Sequence, residues 1–189
     1  MRTGQMGTIV YTIGHSTRTF EQFLGILRGF GIETIVDIRT IPRSRHNPQF
    51  NGDVLKVALE ANDLVYVHLK GLGGLRHPTG DKTNAGWRNA SFRGFADYIQ
   101  TAEFGEALKE LIEIARKRST VIMCAEAVPW RCHRSLIGDA LLVSGLEVVD
   151  ILDADKSKVH RMTPWAKVVE GRITYPAAES LDTFAQDPR

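Results

Sequence analysis

The chain has 189 residues, 43% of them hydrophobic and 24% charged, with a formal net charge of +2. That is enough apolar material for one domain with its own core, so folding requires neither a metal nor a disulfide. No run approaches the ~20 apolar residues of a membrane-spanning helix, residues 1–7 lack a secretory hydrophobic stretch, and so small a net charge does not by itself mark a nucleic-acid binder. The expectation is one cytoplasmic domain over residues 1–189. In a reducing compartment the two cysteines, Cys124 and Cys132, read as thiols.

In chain order, Thr8 to Ile13 is a β-rich run ended by Gly14-His15-Ser16. Phe20 to Phe30 carries apolar residues at three- and four-residue steps and predicts a helix, with Thr19 and Gln22 placed as a capping box and Gly31 after the C-cap. Ile32 to Ile38 then reads as a buried strand. Strand, helix and strand in this succession form a βαβ unit, which makes a parallel pair. The pattern recurs in a short helix over Asp53 to Ala61 and a strand over Leu64 to Leu69.

Gly71 to Ala90 is polar, rich in glycine and without periodicity, and segments of this kind inside a domain are usually functional or mobile. Helices are predicted over Phe92 to Ala102 and Phe104 to Lys117, a strand over Thr120 to Met123, a helix over Ser135 to Val143, and a strand over Glu147 to Leu152. The tail beyond Asp153 is ambiguous: Gly171 to Tyr175 suits an edge strand, and the last ten residues suit a loose end. The fold class is therefore α/β, a doubly wound and mainly parallel sheet of about five strands with helices on both faces.

Such sheets bind ligands outside the carboxyl ends of their strands. Here those ends carry Gly14-His15-Ser16, Arg39-Thr40, Lys70 to Gly74, and Glu126, each with polar or ionisable groups. The sharpest signal is the run Cys124 to Arg134, bridging a strand and a helix. A helix N-terminus favours anions, and placing Arg131, His133 and Arg134 there makes sense if something negative binds.

Glu126, just past a buried strand, is the candidate general acid or base, with desolvation and nearby arginines pulling its pKa in opposite directions. His15 is the candidate for polarising or protonating a reacting group. Cys132, near a helix start among cations, is where a thiolate is favoured, whereas Cys124 on a buried strand reads as core packing. Arg39, Arg43 and Arg134, supported by His133 and Ser16, have the type and spacing to hold a phosphate. Asp37 is placed to orient a histidine or accept from an arginine. His68 and His77 earn no role alone.

These motifs resemble one family. Gly14-His15-Ser16, Asp37-Ile38-Arg39 with Pro42 and Ser44, Leu72-Gly73-Gly74 and the Cys-Ala-Glu-x-x-Pro-x-x-Cys-His-Arg run are similar, in order, to the family catalogued as domain of unknown function 488. The resemblance covers about residues 8–160. It implies an α/β fold in a mostly prokaryotic, intracellular protein and supplies no reaction. It also leads one to expect a histidine near the end of the fifth strand, whereas His160 lies well beyond Leu152.

The residues themselves favour an enzyme acting on a phosphate-bearing substrate, a nucleotide or nucleic acid, with Trp130 and Trp87 suited to stack a base. The rival is a non-catalytic nucleic-acid or anion-binding module. A third reading is a thiol enzyme using Cys132, against which helical spacing would turn His133 away from it. No cofactor or metal is predicted: the Cys and His spacing is not that of a zinc site, and a single Gly14 is not a dinucleotide turn.

Overall fold

The structure is a computed structural model, and it describes residues 7–177. Eight strands and five α-helices follow one another as β1 (Ile9–Gly14), α1 (Phe20–Gly29), β2 (Thr34–Asp37), α2 (Gly52–Glu60), β3 (Val65–His68), α3 (Ala90–Tyr98), α4 (Ala102–Lys117), β4 (Thr120–Cys124), α5 (Arg134–Val143), β5 (Glu147–Asp153), β6 (Lys156–Val159), β7 (Lys167–Val169) and β8 (Arg172–Thr174). The main sheet runs β3-β2-β4-β1-β5-β6. Its first five strands are mutually parallel, and β6 folds back antiparallel on β5. The α/β class is as the sequence predicts, with one strand more than expected at the edge.

Local chemistry sets the boundaries. The Thr19 hydroxyl accepts from the Gln22 N–H while the Gln22 side chain accepts from the Thr19 N–H, closing a capping box at the start of α1. Gly31 follows that helix with φ of +62°, a left-handed conformation that glycine adopts without strain. The helix predicted over Phe92 to Ala102 instead spans Ala90–Tyr98, because Asn89 caps it and Thr101 caps the next one.

The buried side chains divide into two layers, one on each face of the sheet. Phe23 and Leu27 of α1 and Leu55 and Leu59 of α2 pack with Ile35, Val121 and Met123. Phe95, Leu111 and Leu136 of α3, α4 and α5 pack with Val36, Ile122 and Cys124. The alternation along β4 is the strand period of two, with every residue buried because helices cover both faces.

The tail beyond Asp153, ambiguous in sequence, forms two strand pairings. The chain beyond Asp153 adds β6 to the main sheet, so the edge is Lys156–Val159. Arg172–Thr174 pairs with Lys167–Val169 in a separate two-stranded sheet and is not an edge strand of the main one. The last ten residues lie outside the described residues. The glycine-rich segment is anchored: Asn84 is buried, donates to Asp97 and accepts from the Tyr175 N–H, and the Gly86 N–H donates to the Tyr175 carbonyl.

Candidate functional site

The strand order creates the site. β4 lies between β1 and β2, and the helix that follows β4 covers the opposite face from the helices that follow its neighbours. Diverging connections leave a crevice at the carboxyl ends of these strands. Gly14 and Cys124 stand opposite each other in register. Beyond them His15 N–H donates to the Cys124 carbonyl at 2.9 Å and Ser16 N–H to the Ala125 carbonyl at 3.0 Å, while Ile38 N–H donates to the Met123 carbonyl. Ser16 holds a φ of 51°, a strained backbone for a non-glycine residue. Arg18 staples this turn by donating to the carbonyls of Gly14 and Leu152, each at 2.7 Å.

A cleft of about 370 Å³ opens over the end of β4. Cys124, Cys132 and His133 line it, and Gly74, Leu75 and Phe92 contribute from the glycine-rich segment and α3. Arg39, Arg43, Glu126 and Arg131 complete its charged lining.

The two thiols touch. Cys124 Sγ lies 2.6 Å from Cys132 Sγ, and both residues are buried and free of a disulfide. Cys132 Sγ lies 3.6 Å from Nδ1 of His133. The other ring nitrogen, Nε2, faces the Ile38 carbonyl at 3.3 Å and therefore carries the hydrogen, which leaves Nδ1 without one on the side of Cys132. Gly74 packs on this imidazole so closely that a Cβ there would overlap Nδ1.

Electrostatics separates the pair. The hydrogen bond from Cys132, outweighing the cost of burial and helped by the charge of Arg134, brings Cys124 down to about 6. Cys132 is pushed up, first by that same hydrogen bond and then by burial. The two shifts run in opposite directions, making Cys124 the more acidic thiol of the pair and leaving the proton with Cys132. Burial holds His133 down at about 4, so its imidazole is neutral.

Arg134 is fully buried beneath Cys124. Its Nη1 donates to the Glu126 carbonyl at 2.5 Å and approaches Cys124 Sγ at 3.7 Å, and its Nη2 donates to the Ala127 carbonyl at 2.8 Å. Its terminal nitrogens therefore hold the β4–α5 loop and are not free to grip a ligand. The start of α5 is similarly occupied, because Ser135, Leu136 and Ile137 N–H donate to the carbonyls of Cys132 and His133.

A second chain of contacts lies behind the cleft. Arg39 pairs with the buried Asp37 through Nε at 2.9 Å and Nη2 at 2.5 Å, and Nη2 also donates to the Phe50 carbonyl. Tyr66 donates to Asp37 at 2.8 Å. Arg39 Nη1 lies 3.3 Å from His15 Nε2, while His15 Nδ1 donates to the Ser16 carbonyl at 2.9 Å. His15 is buried, stacked on Phe50 at 4.3 Å, and burial brings it down to about 4. It is a neutral ring that accepts from Arg39.

The sequence-predicted residues are thus brought to one end of the sheet, but not into one layer. Arg39, Arg43, Glu126, Cys132 and His133 line the cleft, whereas His15, Ser16 and Arg134 stand outside its lining. Glu126 is exposed, with its carboxylate near the Val128 N–H at 3.5 Å, so the desolvation expected from its position past β4 does not occur. His133 faces Cys132 and is not turned away, because it forms the N-cap of α5 and has yet to enter helical spacing. Cys124 packs in the core as expected and in addition, as the more acidic thiol of the two, meets Cys132. Its signal was present in the parity of β4, which aims residue 124 at the α5 face where Cys132 packs. His68, given no role, bonds the Arg39 carbonyl through Nε2.

Cys124, Cys132 and His133 also form the one group of described residues able to hold a metal, with ligand atoms within 4.8 Å of one another. Two thiolates on a single zinc ion stand roughly 3.7 Å apart, given bonds of about 2.3 Å. Here the sulfurs stand at 2.6 Å, closer than two ligands of one ion.

A separate buried network lies on the far side of α5. His160 is carried back beside Val148 by β6, and its Nδ1 faces Asp150 at 3.0 Å while Nε2 faces Asp139 at 3.2 Å. Two carboxylate partners make both nitrogens donors, so the ring is an imidazolium. Burial alone would lower it, but Asp139 and Asp150 hold it up at about 9. Thr12 donates to Asp150 at 2.6 Å and Tyr175 to Asp139 at 2.9 Å.

Fold and site together define a doubly wound α/β protein with a buried dithiol at the carboxyl end of its central strand. The chain matches the family model described as Domain of unknown function DUF488 over residues 19–141, and it belongs to that family. The matched segment contains Arg39, Cys124, Glu126, Cys132, His133 and Arg134, while His15 and His160 lie outside it. No curated protein and no solved structure matches the chain.

Proposed function

We propose that the protein is a dithiol enzyme that reduces a disulfide-bearing, anionic substrate. The observation that carries this reading is the contact between Cys124 Sγ and Cys132 Sγ at the cleft, with Arg134 beneath the first and His133 beside the second. The Cys124 thiolate attacks one substrate sulfur; their bond forms as the substrate's S–S bond breaks, and the departing thiolate takes a proton from solvent. Cys132 then attacks Cys124 Sγ, its proton passing by way of the His133 ring to the departing second substrate half, which leaves as a thiol, and a Cys124–Cys132 disulfide remains. An external dithiol restores both thiols. Arg43 and Arg131, exposed on the cleft and in no ion pair among the described residues, supply attraction for an anion.

A second reading keeps the same cleft and takes a phosphate-bearing nucleotide or nucleic acid as substrate. It is favoured by the presence of Arg43, Arg131 and the Glu126 carboxylate on one cleft. Turnover of a disulfide panel and of a phosphate-ester panel, measured on wild type, Cys124→Ser and Glu126→Gln, separates them. The dithiol reading expects disulfide turnover that is lost in Cys124→Ser and kept in Glu126→Gln. Phosphate-ester turnover that is lost in Glu126→Gln supports the second reading, and anion binding without any turnover supports a binding module.

A further inference from the structure

All three tryptophans of the chain, Trp87, Trp130 and Trp165, line a second pocket of about 340 Å³. It lies beside the thiol cleft, and the short 3₁₀ turn Pro129–Arg131 forms the wall between them: Pro129 and Trp130 face this pocket, while Arg131 faces the cleft. Trp130 is 63% exposed, Trp165 43% and Val159 68%. Large apolar groups scattered singly over a surface need no explanation, but several converging on one concavity do.

The pocket has a defined polar character. Trp87 is fixed by stacking on Phe92 at 4.7 Å and by edge contact with Trp165 at 5.0 Å, and its indole N–H is buried with no acceptor. Lys158 and Arg161 are exposed in the lining and make no ion pair among the described residues. The carboxylate there, Asp150, is held by Thr12 and His160. Aromatic faces and two cations without an ion-pair partner among the described residues are complementary to a flat heterocycle that carries an anionic group.

We propose that this pocket binds a free nucleotide, its base on the tryptophan faces and its phosphate on Lys158 and Arg161. The volume is that of a small-molecule site. Two cations and a net charge of +2 on the whole chain provide no track for a nucleic-acid backbone. The site is distinct from the dithiol and does not depend on the reaction proposed for it. Because both pockets share the Pro129–Arg131 turn, an occupied nucleotide site has a direct structural connection to the wall of the thiol cleft.

The test is titration of the intact protein with the four common nucleoside monophosphates, the matching nucleosides, inorganic phosphate and a short single-stranded oligonucleotide, read by tryptophan fluorescence and calorimetry. Saturable quenching by at least one monophosphate is expected. Trp130→Ala should weaken it by about tenfold or more, since stacking on an aromatic ring contributes on that scale. The double variant Lys158→Ala, Arg161→Ala should weaken the monophosphate but leave the nucleoside unchanged. These three side chains are exposed, so the folds of the variants, checked by thermal melting, should persist. No saturable binding of any monophosphate up to ~5 mM, binding that neither variant alters, or an oligonucleotide preferred over every monophosphate would overturn the proposal.

Discussion

Gly14 lies directly under the carbonyl of Glu126: a Cβ on residue 14 would overlap that oxygen and come within 2.9 Å of Nη1 of Arg134. The missing side chain is what allows the loop after β4 to fold across the end of β1 and to keep Arg134 beneath the Cys124 sulfur.

Gly14→Ala should therefore disturb the dithiol as well as the fold. Backbone lies on one side and a buried guanidinium on the other, so the methyl group has no flexible neighbour to push aside. A loss of about 1–3 kcal/mol is expected from overpacking of this kind. Urea unfolding measures the loss, and slower alkylation of Cys124 at neutral pH would show that Arg134 had moved from the thiolate. Wild-type stability in this variant would mean that the close approach is absent.

Stability should fall on mild acidification. His15 and His133 are buried as neutral rings and held down at about 4, whereas an unfolded histidine titrates near 6.5. Below pH 6.5 the unfolded chain takes up protons that the folded chain refuses, so stability is lost as pH falls from 6.5 toward 4 and then levels off. Each ring contributes on the order of 3 kcal/mol across that window. Urea titrations at stepped pH should show the slope, and His15→Asn should reduce it.

The opposite sign applies to His160. Its folded value of about 9 exceeds the unfolded one, so its contribution is complete below pH 6.5 and is lost as pH rises through 9. The loss is on the order of 3 kcal/mol. His160→Gln should be less stable than wild type at neutral pH and should lose less on going alkaline. A parallel pH dependence in variant and wild type would remove the imidazolium from the Asp139–Asp150 network.

Glu126→Gln separates the readings of the cleft without confounding stability. The side chain is exposed, so the substitution should change stability by less than about 0.5 kcal/mol. In a dithiol enzyme it leaves both the thiol pair and disulfide turnover intact. A loss of roughly 10² or more in turnover of any substrate would make Glu126 a proton-transfer group after all.

Much of this architecture was legible in the residues. Alternating strand and helix signals, the capping box of Thr19 and Gln22, and Gly31 mark βαβ units, and a doubly wound sheet then sends His15, Arg39 and Glu126 to one end. The pairings within that end were not legible. Asp37 is legible as an acceptor for an arginine, but nothing local in the sequence pairs it with Arg39 in particular or turns Arg134 inward onto carbonyls, since an arginine's charge is visible in sequence and its partner is not. Glu126 was misplaced in depth for a related reason, because the chain turns outward immediately after Cys124. His160 was out of reach until β6 was seen to fold back on β5 and return it beside Val148.

Cys132 is proposed to hold Cys124 as a thiolate. Iodoacetamide alkylation of the intact protein, with each cysteine followed by peptide mass mapping across about pH 4 to 10, measures this directly. Cys124 should react first, with a rate that rises through a midpoint of about 6, and Cys132→Ala should move this midpoint up toward that of an ordinary thiol. A Cys124 midpoint already in the ordinary thiol range in wild type, and unmoved by Cys132→Ala, would contradict it.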